Sequence, residues 1–120
     1  MPRHLESKLQ QSCVKWFDIQ YSALRMNLFA IPNGGRRGKI EAGIMKGEGV
    51  RAGVADMFLA VPNSSPNLES CGMFIEFKFG KGVQNDNQKR FQAAVIKQGY
   101  RYEVISDFDS FKKLVNEYLN

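Results

Sequence analysis

The sequence predicts an α/β fold, a small mixed β-sheet flanked by helices. Three observations predict it. Wound at ~100° per residue, Leu5, Leu9, Cys13, Trp16, Phe17, Tyr21 and Leu24 fall within one arc of roughly 160°, the mark of an amphipathic helix. Two short apolar runs, Met57 to Val61 and Phe74 to Lys78, have the length and aromatic content of strands and are bounded by Gly, Pro, Asn and Ser. Two capping signatures, Asn85 with Gln88 and Ser106 with Asp109, open helices on either side of an alternating strand from Tyr100 to Ile105.

Taken in order, the first helix runs from about Arg3 to Leu24. Lys8, Lys15 and Asp18 lie outside its apolar arc, whereas Glu6 falls inside it, near Cys13 and Leu24. Two readings of Glu6 stand on the residues alone. It is a first-turn acid that suits the helix dipole and reaches water, or it is an acid with a task on the inner side. His4 reads as a solvated terminal histidine. Asn27 to Ile31 is a short strand, and Pro32-Asn33-Gly34-Gly35 is turn chemistry, because Asn and Gly accept positive φ cheaply. Arg36, Arg37 and Lys39 follow, so the turn reads either as a solvated loop or as a phosphate-contacting one, the second being favoured. It is neither a P-loop nor a dinucleotide fingerprint, since both glycine arrays are missing. Lys39 to Gly47 predicts a short helix with Ile40, Ile44 and Met45 inward, ended by Gly47 and Gly49.

Pro62 to Cys71 is a polar connector between the two core strands. Gly80-Lys81-Gly82 is a basic turn. Asn85 then caps a helix whose third position is Gln88, with Phe91, Ala94, Val95 and Gln98 on one side and Gly99 as the stop. The last helix carries Phe108, Phe111, Leu114, Val115 and Leu119 as its core stripe.

Composition bounds the function. The chain of 120 residues reads as one domain, 1–120, and 43% hydrophobic residues suit a globular core. A net charge of +5 and an isoelectric point near 9.4 favour a polyanionic partner, though a basic surface can be merely solvated. No apolar run approaches a membrane span, and the N-terminus lacks a signal-peptide core. Cys13 and Cys71 lack metal-site spacing and read as free thiols in a reducing cytoplasm.

The chemistry concentrates between Gly53 and Lys78. Alternation puts Glu76 and Lys78 on one face with Phe74, and Met73, Ile75, Phe77 and Phe79 on the other; Asp56 shares a face with Val54 and Phe58. If the two strands pair as a hairpin, Asp56 and Glu76 converge beside Lys78. Burying two carboxylates and an ammonium among apolar strands is costly unless they pair or hold a metal. The cluster is therefore either a structural ion pair or a site for Mg²⁺ or Mn²⁺, which prefer carboxylate and carbonyl oxygens.

Asp56 followed by Glu76-Phe77-Lys78 resembles the D…(D/E)-x-K core of the PD-(D/E)xK nucleases. The surroundings narrow the resemblance. Pro32-Asn33-Gly34-Gly35-Arg36, then Gly49 through Asp56, then Ile75 through Lys78, then Gln88 and Gly99-Tyr100, are similar in order and spacing to the VRR-NUC domain, the virus-type replication-repair nuclease. Ala55 departs from the pattern, since the family usually has Pro there; proline contributes no ligand.

The resemblance implies a restriction-endonuclease-like topology and a Mg²⁺- or Mn²⁺-dependent endonuclease. It implies Asp56, Glu76 and the Phe77 backbone carbonyl as metal ligands, with Glu6 completing the site directly or through water. Lys78 would position the attacking water and Gln88 would assist. One rotamer of Gln88 is not expected to serve both the helix cap and the site. Arg36, Arg37, Lys39, Arg51 and Lys81 are candidate phosphate contacts. Stand-alone relatives, found in phages, are homodimers that act on four-way junctions, which implies a homodimer cutting branched DNA such as Holliday junctions in the cytoplasm (of the host cell if phage-encoded). The alternatives are a non-catalytic nucleic-acid-binding module of the same fold, and a basic partner-binding protein without cation dependence.

Overall fold

The computed structural model describes residues 2–32, 39–63 and 70–120. Among these residues four α-helices and four strands follow one another as α1 (Pro2–Gln20), β1 (Leu28–Ala30), α2 (Lys39–Gly47), β2 (Met57–Leu59), β3 (Met73–Phe77), α3 (Asp86–Lys97), β4 (Arg101–Ile105) and α4 (Phe108–Leu119). The Asn33-Gly34-Gly35 turn, Arg36 and Arg37 lie outside the described residues, as do the side chains of His4 and Lys39 and the middle of the connector after Asn63.

The strands form one mixed sheet in the order β1-β2-β3-β4. β2 and β3 are the expected antiparallel hairpin, with Met57 opposite Ile75 and Leu59 opposite Met73. β4 runs parallel to β3, with Phe77 level with Ile105. A parallel neighbour needs a crossover, and α3 supplies it.

One face of the sheet is the core. Leu28, Met57, Leu59, Met73, Ile75, Phe77 and Ile105 point into it and meet Cys13 and Phe17 of α1 and Phe111, Leu114, Val115 and Tyr118 of α4. Phe77 and Phe111 lie 6.0 Å apart, ring to ring. Phe17 is fully buried and Trp16 and Tyr21 pack against the same core, so this aromatic stretch of α1 is interior rather than a free surface.

Local details differ from the sequence reading. α1 ends at Gln20, and Ser22–Asn27 continues as a 3₁₀ turn. Tyr21 leaves helical geometry to stack on Phe17 at 5.4 Å and to donate its hydroxyl to Asn116. α2 has the expected bounds, but its apolar side is not inward: Ile40 and Ile44 are exposed. The core face is already filled by α1 and α4, leaving α2 no place on it. Phe79 is exposed because β3 ends at Phe77. The cap of α4 is Asp107, one residue later than expected; its carboxylate accepts from the Ser110 N–H and hydroxyl. Among the described residues no helix is long and apolar enough to cross a membrane. Cys13 and Cys71 are both free thiols, the first buried. Burial and the charge of Asp107 push the Cys13 thiol up to about 12, so it stays neutral.

Candidate active site

The hairpin register builds the site. Carried one step beyond Met57 and Ile75, it sets Asp56 opposite Glu76 at the end of β2. The Ile31 N–H donates to the Asp56 carbonyl at 2.8 Å, which ties this end of the sheet to the chain leaving β1. Asp56 Oδ2 accepts from the Phe77 N–H at 2.7 Å. In a strand the N–H and C=O of one residue point to the same side. The Lys78 N–H faces the other way, to the Ile105 carbonyl at 2.9 Å. The Phe77 carbonyl therefore faces the edge where the Asp56 carboxylate lies.

Glu76 is the one charged side chain buried among the described residues, 3% exposed. Its Oε2 accepts from Gln88 Nε2 at 2.8 Å and faces Lys78 Nζ at 3.6 Å. Its Oε1 has no donor among the described residues. Burial first, then the charge of Asp56, pushes the Glu76 carboxyl up to about 7, while Lys78 pulls it back. Burial raises Asp56 as well; the Phe77 N–H opposes this, Glu6 adds to it, and Lys78 and the neighbouring Glu76 side chain lower it. A buried acid whose ionisation is opposed by burial and by a second acid has an unmet need for positive charge beyond one lysine.

Glu6 reaches the rim of this site from α1. Its Oε2 accepts weakly from the Phe79 N–H at 3.4 Å, and its charge is felt by both Asp56 and Glu76. Among the described residues no three acids, histidines or cysteines gather closely enough to hold a metal ion by themselves. What is present is an open donor set: the Asp56 and Glu76 carboxylates, an orphaned buried oxygen on Glu76, and a carbonyl on the same edge. Oxygen donors with room for water suit Mg²⁺ or Mn²⁺, so these residues fit such an ion.

Gln88 corrects the sequence reading, because one rotamer serves both roles. Its backbone N–H donates to Asn85 Oδ1 at 2.9 Å and its Oε1 accepts from the Asn85 N–H at 2.9 Å, closing the capping box of α3. The other end of the same amide donates to Glu76. An amide has an acceptor and two donors at opposite ends, so cap and site use different atoms.

Arg51 is exposed and leans on the Lys46 carbonyl at the end of α2, and Lys81 is exposed in the turn beyond Lys78. Lys39 opens α2.

Two contributors escaped the sequence reading. Gly53 adopts φ +86, and a Cβ there would stand 2.3 Å from the Asn87 carbonyl oxygen, so a bare backbone lets the lead-in to Asp56 pass against the first turn of α3. Its signal was a glycine three residues before the acid. Tyr102 of β4 is buried, and its hydroxyl accepts from Gln84 at 3.1 Å. Burial, with help from the charges of Glu76 and Asp56, pushes the phenol up to about 12, so it remains a neutral hydrogen-bonding group near the acids. Even parity with Phe74 and Glu76 could not reveal it before the strand register was known.

Residues 3–107 match the family model described as the VRR-NUC domain. Among solved structures, one described as a VRR_NUC domain protein superposes with a TM-score of 0.78 at 23% identity, over 94% of this chain and 86% of that chain. At that identity the likeness shows a common fold. No curated protein matches the chain.

Proposed function

The chain belongs to the VRR-NUC domain family, a nuclease-type domain, and from this premise we propose that it is a divalent-metal-dependent DNA endonuclease that selects branched structures such as Holliday junctions. The observation that carries the reading is Glu76. It is a nearly fully buried carboxylate with one oxygen lacking a donor among the described residues, opposite Asp56 and beside Lys78. A structural ion pair has no use for a second acid that raises the first, whereas a cation site does.

Asp56, Glu76 and the Phe77 carbonyl would hold Mg²⁺ or Mn²⁺, with Glu6 joining directly or through water. Bound there, the ion would polarise the phosphodiester and offset its developing negative charge. The remaining work belongs to the chain. Lys78, held near Glu76 by charge, would orient the attacking water and stabilise the transition state. Gln88 would fix the Glu76 carboxylate in one orientation through its amide. The Phe77 N–H would do the same for Asp56. Arg36, Arg37, Lys39, Arg51 and Lys81 would neutralise flanking phosphates, in keeping with the net charge of +5. Residues 1–120 would act as one domain in the cytoplasm. Two copies related by a two-fold axis would present equivalent sites to a substrate of matching symmetry.

The test is incubation with labelled duplexes, flaps and four-way junctions in Mg²⁺, Mn²⁺ or EDTA, beside sedimentation at micromolar concentration. Metal-dependent cuts in branched DNA by a dimer are expected. No cleavage in either metal would leave a binding module; equal cleavage of linear duplex, or a monomer, would remove the junction reading.

A further inference from the structure

Each strand of the sheet contributes one aromatic residue at the same register. Phe29 pairs with Phe58, Phe58 with Phe74, and Phe74 with Tyr102. Alternation places this rung on the face opposite the core row of Leu28, Leu59 and Met73, and on the face of Glu76. Neighbouring rings touch, with centroids 6.0 Å apart for Phe29 and Phe58 and 4.4 Å for Phe58 and Phe74.

Half of the rung is roofed. Phe91 of α3 stands edge-on to Phe74 at 5.0 Å and lies 6.2 Å from Tyr102, which is buried. Toward β1 the cover from the described residues thins: Tyr100 stands edge-on to Phe58 at 5.9 Å, Phe58 is half-buried and Phe29 is 45% exposed. A large apolar ring left open on an edge strand gains little from folding, and edges are ordinarily blunted with charge.

The position of the acids gives that open end a use. Glu76 lies two residues past Phe74 and Asp56 two residues before Phe58, so the acids form the next rung, about 7 Å along the strands. A nucleic-acid strand with a phosphate at the acid rung must send its sugar and base sideways by a comparable reach. The basic chain favours such a polyanion over an apolar partner.

We propose that the open half of the rung, Phe29 and Phe58, is a stacking platform for an unpaired nucleobase of the DNA strand whose phosphodiester lies at Asp56 and Glu76. This rests on the nuclease reading and deepens it by naming a substrate feature. Every base has a π-face, so the platform tolerates any sequence. A base inside an intact duplex is stacked on both sides and unavailable, whereas one at a branch, flap or single-stranded end is free to stack. The platform thus favours an unpaired nucleotide next to the cut.

The test measures binding of a single-stranded oligonucleotide and of its duplex by fluorescence anisotropy in EDTA, with thermal melts as the folding control. Phe29→Ala and Phe29→Leu should weaken single-strand binding roughly 5- to 100-fold and leave duplex binding unchanged. Phe29→Trp should restore it. An oligonucleotide with 2-aminopurine should be quenched by the wild type and by Phe29→Trp, and not by Phe29→Leu. Phe58→Leu, which keeps the ring site apolar, should repeat the pattern. Equal weakening for strand and duplex, or none, overturns the platform while leaving the nuclease reading intact. A wild type that binds neither form overturns both.

Discussion

Gln88 donates to Glu76 at 2.8 Å with one end of an amide whose other end closes the cap of α3. The start of a helix and the state of a buried acid are thereby joined through one side chain. Gln88→Glu separates the roles, since glutamate also closes a capping box but has no donor for Glu76. Cleavage should fall by roughly 10²-fold, with the melting temperature lowered much less than in Asn85→Ala, where losing the cap costs about 1 kcal/mol. Thermal melts and single-turnover cleavage of the two variants check this; a loss of cleavage in Gln88→Glu matched by unfolding would return Gln88 to a structural role.

Asp56→Ala, Glu76→Gln and Lys78→Ala should each reduce cleavage by roughly 10²-fold or more while far-UV circular dichroism stays native. Calorimetric titration should register Mn²⁺ binding to the wild type and weaker binding to Glu76→Gln. Asp56→Asn should hold DNA more tightly in EDTA, because a carboxylate facing phosphate is neutralised. Full cleavage by any one variant removes the role assigned to that residue.

Stability without metal should fall as pH rises. The folded state holds the Glu76 proton up to about 7, against an ordinary value of 4.5. Below 4.5 folded and unfolded chains both carry that proton. From there to about 7 the unfolded chain ionises first, so folding loses free energy with increasing pH, and above 7 the loss is complete. Asp56, also raised by burial, acts in the same sense. The melting temperature in EDTA should therefore be higher at about pH 5.5 than at about pH 8, Glu76→Gln should flatten much of the difference, and Mg²⁺ should stabilise most at the higher pH. A melting temperature that climbs across this window would contradict a destabilised acid pair.

Gly53→Ala should be costly for two independent reasons, a φ of +86 and a backbone oxygen 2.3 Å from the new Cβ. A loss of about 2 kcal/mol or more is expected from denaturant melts, together with impaired cleavage, since α3 must retreat from Asp56 and carry Gln88 with it. Wild-type stability in this variant would mean that the chain bypasses the close approach.

Replacing Arg36 and Arg37 should weaken DNA binding about equally for all sequences. The slope of log affinity against log salt should drop by roughly one for each phosphate that is no longer neutralised. A change in base preference at constant slope would make these arginines readers of sequence instead.

The chain itself determined which segments are helix and which strand. Apolar spacing in α1, α3 and α4, the Asn85–Gln88 box and the alternation in β3 and β4 are local properties, written within a few residues of one another. The acid pair was legible for the same reason, since parity in two strands set Asp56 and Glu76 on corresponding faces. Tertiary structure decided what depends on partners far along the chain. Ile40 and Ile44 look inward by period yet stay exposed, because α1 and α4 already occupy the core face. The double use of Gln88 depends on how far the crossover helix sits from β3, a distance no local pattern encodes. The aromatic rung is the clearest case: Phe29, Phe58, Phe74 and Tyr102 are scattered over more than half the sequence, and only the pairing of four strands brings them into register. Periodicity fixes which way a side chain faces; hydrogen bonding between distant strands fixes which side chains it faces alongside.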